Sequence, residues 1–203
     1  MLTNLLLGLV FVFMAFRIGK SVLLNFGSHL EPVFIFIGLA FLLLIGPLLR
    51  WYVEGMTKPN VKVSKYQLLE LTPFVLVFLA SLFLVEENLD TSDRRVIVIF
   101  GSTLIFIYLH FAFYIAFAGW LLNRAKSIYR HTLQTKSQKA IFSWLRVLIL
   151  GFVVIWISYF LNIIEDTVPY IIGPIVYSAV VYFLSYKAFQ LRNRQQRNIR
   201  WGQ

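Results

Sequence analysis

The sequence contains no cysteine. Disulfides, thiolate catalysis and cysteine-based metal sites are excluded, and no redox compartment follows from it. Charge is scarce. Asp, Glu, Lys and Arg make up 14% of the chain, against about a quarter in an ordinary soluble domain. Acids are scarcest, nine against 19 Lys and Arg. The familiar enzyme signatures are missing: there is no G-x-S-x-G, no H-E-x-x-H and no phosphate-binding loop. Spaced acids of the kind that hold Mg²⁺ beside a lipid phosphate are absent from the basic segments. The expectation is a chain that is not an enzyme and carries no cofactor. A transporter would show helices broken near the membrane midplane and an internal repeat. Here Pro47, Pro73 and Pro169 all fall near the ends of apolar runs, and no repeat is visible.

What the chain does have is apolar sequence in long blocks. It is 59% hydrophobic, with a mean hydropathy of +0.76. Six runs stand out, at about 5–26, 32–49, 68–85, 96–122, 141–163 and 169–191. About 20 residues cross a hydrocarbon core of about 30 Å as a helix. Helices satisfy their own backbone groups in lipid, and alternating strand patterning is absent. The expected fold is all-α: a polytopic membrane helix bundle of about six transmembrane helices over residues 1–191, followed by a basic tail over 192–203. The first run reads as a retained helix rather than a signal peptide, because no positive charge precedes it and no small-residue cleavage site follows.

Charge orients the runs. One set of segments holds Arg50, Lys58, Lys62, Lys65, Arg124, Lys126, Arg130, Lys136, Lys139, Arg146 and the basic tail, with Glu54 and Glu70 as its acids. The other holds Glu31, Glu86, Glu87, Asp90, Asp93, Glu165 and Asp166, with Arg94 and Arg95. Cytoplasmic loops are rich in Lys and Arg. The basic side is read as cytoplasmic, with both termini inside and the chain a multi-pass protein of the cell inner (cytoplasmic) membrane. Trp51, Tyr52, Trp120, Tyr129, Trp144 and Trp201 fall at that boundary, where an aromatic belt belongs. Gly46-Pro47 reads as a helix end, with Arg50 and Trp51 anchoring it and Glu54 offsetting nearby lysines.

Two candidate sites lie inside the runs. Arg17 and Lys20 are three apart on one helix face, in the outer half of the first span. Ionisable residues there face the bundle or a wet cavity, and a pocket for an anionic ligand from outside is one reading. The other is a pair that snorkels outward or binds Glu31, Glu165 or Asp166. His110 lies near the middle of the fourth run, with aromatic neighbours. It is read as a proton-active group or, more simply, as a histidine bonded to a hydroxyl among Tyr108, Tyr114, Ser81, Ser158, Tyr159 and Ser178. The outer acids match no calcium loop. Ala112, Ala116 and Gly119 make a small-residue seam for close helix packing.

One local pattern carries a resemblance. Gly46-Pro-Leu-Leu-Arg-Trp-Tyr-Val-Glu-Gly-Met-Thr57 is followed by Lys65-x-x-Leu-Leu-Glu-Leu-Thr-Pro73. Together with Asn4-Leu-Leu-Leu-Gly8, Ser143-Trp-Leu-Arg146 and Tyr182-Phe-Leu-Ser-Tyr186, it resembles the transmembrane sensor region of bacterial membrane-bound AraC-type helix-turn-helix regulators. Some sensor histidine kinases have a similar region. Glu70 departs from the pattern, which more often has His there. The resemblance implies a sensory, signal-transducing module whose DNA-binding or kinase output is not in this chain. It also implies an extracytoplasmic ligand and no direct nucleic acid contact by this chain. An accessory subunit docking a cytoplasmic or membrane protein partner is the alternative. A small-solute transporter or membrane enzyme comes third.

Overall fold

The structure is a computed structural model that describes residues 2–26, 32–58, 64–82, 94–129, 136–164 and 172–200. Among them there are helices and no strand. The order is α1 (Leu2–Phe26), α2 (Pro32–Thr57), α3 (Lys65–Leu68), a 3₁₀ turn (Leu69–Leu71), α4 (Thr72–Leu82), α5 (Arg94–Ile128), α6 (Lys136–Ile164) and α7 (Ile172–Arg200). Five helical stretches are long and apolar enough to cross a membrane: Leu2–Gly19, Phe36–Thr57, Lys65–Leu82, Arg94–Ile128 and Gln138–Leu161. α7 carries the sixth apolar run, continues as helix through the basic tail, and is not among the five.

α2 is the central helix. Its apolar stretch is 78% buried, against 17% for that of α5. It packs on α1, α4 and α5, while α6 lies against α5 and α7, and α7 returns to α1. In lipid, apolar side chains gain little by leaving the solvent for each other, so close packing and interhelical hydrogen bonds must hold the helices together. Gly46 supplies such a contact. A Cβ there would stand 3.0 Å from Tyr114 Cβ, so glycine lets α2 and α5 meet almost backbone to backbone. Trp144 Nε1 on α6 supplies the other kind, donating to Tyr52 Oη on α2 at 2.8 Å.

Several readings of the sequence need correction. Gly46-Pro47 does not end a helix: α2 runs through Pro47 to Thr57. Proline costs a backbone hydrogen bond inside a helix, about 3 kcal/mol in an isolated one. Here Leu43, Leu48 and Leu49 around it are all buried, and that packing holds the helix together. Trp51, Tyr52 and Trp144 are not a membrane belt, because each is buried within the bundle. Trp120 does lie on the surface, about half exposed. The small-residue seam also fails. Ala116 is exposed and a Cβ on Gly119 would touch nothing within 4 Å, whereas Gly46 makes the close approach to α5, and Ala40 and Ala118 are the fully buried alanines.

The step from α3 to α4 is built locally. Ser64 and Gln67 form a capping box, with the Ser64 N–H donating to Gln67 Oε1 at 2.8 Å. The 3₁₀ turn then leads into Pro73, tolerated in the first turn of α4 because no helical bond is lost there.

Candidate functional site

Two polar constellations interrupt the apolar bundle. The first is centred on Arg17 in the second half of α1. Arg17 is only 2% exposed, among the most buried large side chains of the chain. Its Nη2 donates to Tyr108 Oη on α5 at 3.3 Å, and its guanidinium lies 4.3 Å from the ring centroid of Tyr159 on α6. Tyr159 in turn meets Tyr177 of α7 edge to face, with centroids 5.6 Å apart. Three other helices thus supply one tyrosine each around a cation from α1. Trp156 braces the arrangement by donating from Nε1 to the Tyr108 carbonyl at 3.0 Å. Tyr177 Oη is buried and makes no hydrogen bond among the described residues.

Magnitudes decide whether such a cation can stay inside. Insertion scales put Arg at a helix centre about 2.5–3.5 kcal/mol uphill. A desolvated cation–π contact returns about 2 kcal/mol and a hydrogen bond to a charged group about 1.5–3 kcal/mol. Those two terms match the cost, so Arg17 is held in the bundle and does not snorkel out.

The second constellation lies at the far end of α2, in the stretch from Gly46 to Thr57. Arg50 forms ion pairs with Glu70 in the 3₁₀ turn and with Glu54 at 3.2 Å, one helical turn along α2. Glu54 also accepts from Lys58 Nζ at 2.7 Å and from Gln67 Nε2 at 3.3 Å. The Arg50 guanidinium stands 5.3 Å from the Phe117 ring centroid, and Tyr114 approaches the Glu70 carboxylate. The network ties α2 to the α3–α4 segment and to α5. Both constellations draw on α5, through Tyr108 in the first and Tyr114 and Phe117 in the second. Among the described residues, no three His, Asp or Glu side chains come together to hold a metal.

The candidates named from sequence part company here. Arg17 is at the centre of the first constellation. Lys20 is on α1, with its side chain outside the described part, and Glu165 and Asp166 lie outside the described residues. His110 joins neither constellation. Its ring sits between Phe106 and Tyr114, at centroid distances of 5.9 and 4.8 Å, and Nδ1 has no hydrogen-bond partner among the described residues. The hydroxyls suggested for it are engaged elsewhere. Tyr108 Oη accepts from Arg17, the Tyr159 ring lies against the Arg17 guanidinium, Tyr114 turns to Glu70, and Ser81, Ser158 and Ser178 bond carbonyls of Phe78, Ile155 and Pro174 on their own helices. The tyrosine cage and the Arg50–Glu70 pair escaped the sequence reading. Only the burial forced on Arg17 by its place in an apolar run pointed toward the former. The acids Glu86, Glu87, Asp90 and Asp93 lie outside the described residues.

Compared with protein-family profiles, with curated proteins and with solved structures, the chain gives no match.

Proposed function

We propose that the chain is a sensory, signal-transducing module of a bacterial inner membrane, with six spans and both termini in the cytoplasm. The observation that carries the reading is Arg17, a buried cation caged by tyrosines from three other helices. Such a charge in a span marks a functional position by default. The buried Tyr177 hydroxyl, without a hydrogen-bond partner among the described residues, adds a donor beside it. An anionic ligand entering from outside would compete with the tyrosines for Arg17 and alter how α1, α5, α6 and α7 pack. The resemblance to the sensor region of AraC-type regulators supports the same reading.

The mechanism is a choice between two packings. A ligand shifts that choice only by its differential affinity for them. α5 is a continuous helix that carries contacts to both constellations, so a change at Tyr108 is transmitted toward Tyr114 and the Arg50–Glu70 pair. The α5–α6 connection and α7 deliver it to the cytoplasm.

The test is a fusion of the chain's C-terminus to a DNA-binding reporter domain, comparing wild type with Arg17→Gln. The expected result is a reporter output shifted in the basal state. Unchanged output from an inserted, folded variant contradicts the reading. A stoichiometric partner recovered in mild detergent, with no effect of Arg17→Gln on output, favours an accessory subunit instead.

A further inference from the structure

A cavity of about 300 Å³ opens between α5 and α6 at their basic ends. Asn123 and Lys126 line it from α5, and Lys139, Phe142, Ser143 and Arg146 from α6. The spacing explains the lining. Positions 123 and 126 share a face of one helix, and 139, 142, 143 and 146 form a stripe on the other.

Its charge is one-sided. Three cations converge, and among the described residues none has an acidic partner. The acids of the described residues, Glu54 and Glu70, are both engaged by the Arg50 network. Like charges held together repel, so the cavity is built for an anion that bonds several donors at once. A phosphate diester fits: Arg146 offers a planar two-pronged donor, the lysines compact charges, and Asn123 and Ser143 neutral donors. The wall includes apolar Phe142, suited to the glycerol and first methylenes of a lipid. Depth points the same way. Trp120 is half exposed one turn before Asn123, with Arg124 set over its ring at 5.3 Å, the pairing found at headgroup level.

We propose that this cavity binds the headgroup of an anionic phospholipid from the cytoplasmic leaflet, seated between α5 and α6. The assignment rests on the orientation proposed above. A lipid there would couple the α5–α6 connection to membrane composition.

The probe is phosphatidylglycerol. The protein is placed in nanodiscs of phosphatidylcholine and phosphatidylglycerol, and lipid retained on release is counted by native mass spectrometry. Wild type is expected to keep one phosphatidylglycerol. The variant K126Q/K139Q/R146Q should weaken that binding on the order of 100-fold, from the usual worth of three basic residues near a membrane surface. K65Q/R94Q/K187Q, which removes equal charge elsewhere, should leave it unchanged, and K126R/K139R/R146K should retain it. All three cavity cations are exposed, so the glutamine variant is expected to fold, with helix content by circular dichroism as the check. Equal loss in both glutamine variants, or none in the first, overturns the proposal. Displacement of the lipid by millimolar inorganic phosphate also overturns it, because the cavity would then be a small-anion site. The readout does not use the reporter. An output insensitive to Arg17→Gln would sink the sensory reading and leave this site standing. A folded triple variant that keeps its lipid would sink the site alone.

Discussion

Replacing Glu70 by Leu should destabilise the bundle, and replacing Arg50 as well should restore most of the loss. The Arg50 and Glu70 side chains are 14% and 22% exposed, so both charges are largely removed from water. Stranding one member of a fully buried pair costs about 3–5 kcal/mol. Glu70→Leu strands Arg50 only partly, because Glu54 and the Phe117 ring remain beside it. About 2 kcal/mol is expected. Arg50→Leu is worse. Glu54 still has Lys58 and Gln67, but among the described residues Glu70 keeps only Tyr114, and about 3 kcal/mol is expected. The double variant puts two leucines against each other in a mostly buried position. Such swaps are often neutral, and a cost of about 1 kcal/mol or less is expected. The coupling expected from these costs is therefore about 4 kcal/mol. Unfolding of the four proteins in bicelles, followed by tryptophan fluorescence, measures it. Additivity within about 0.5 kcal/mol would refute the reasoning, since it is the behaviour of residues that do not interact.

Other predictions are shorter. Gly46→Leu should cost at least about 2–3 kcal/mol, because the new Cβ already meets Tyr114 Cβ at 3.0 Å and a β-carbon cannot swing away. Gly119→Leu should fall within about 0.5 kcal/mol of wild type, because that position faces open space. The same unfolding assay reads both, and equal costs would mean the α2–α5 approach is wrong. Tyr52→Phe leaves buried Trp144 Nε1 without its acceptor and should cost about 1–2 kcal/mol. Adding Trp144→Phe to it should cost less than the two single losses combined, whereas additivity would dissolve the hydrogen bond. Tyr159→Leu removes the ring beneath the Arg17 guanidinium and should cost about 2 kcal/mol more than Phe160→Leu, its exposed neighbour, in thermal unfolding.

The helices themselves were readable because lipid-spanning segments advertise themselves by length and apolar content. Pro32, Arg94 and Lys136 begin helices close to where the apolar runs begin. Pro47 was misread because its effect depends on packing: a proline that would end an exposed helix is carried by the buried central one. Trp51, Tyr52 and Trp144 sat at the right point of the sequence for a belt, but rotation about a helix axis decides inside from outside, and apolarity on every face of α2 hides that rotation. The same limit applies to Ala116 and Gly119. At the candidate sites, Arg17 was visible as an anomaly, while its cage drew residues from positions 108, 159 and 177 that only tertiary packing could unite. The Arg50–Glu70 pair bridges 20 residues and two helices, and charge counting reads such residues as topology signals rather than as partners.

The central claim is that Arg17 biases the bundle between two packings, and its most direct test uses the absence of native cysteine. Spin labels on Lys58→Cys at the end of α2 and Lys187→Cys on α7, both exposed, report the distance between these helices in nanodiscs. The account predicts two distances whose proportions change when Arg17→Gln is added. A single narrow distance, the same with arginine or glutamine at position 17, would contradict it.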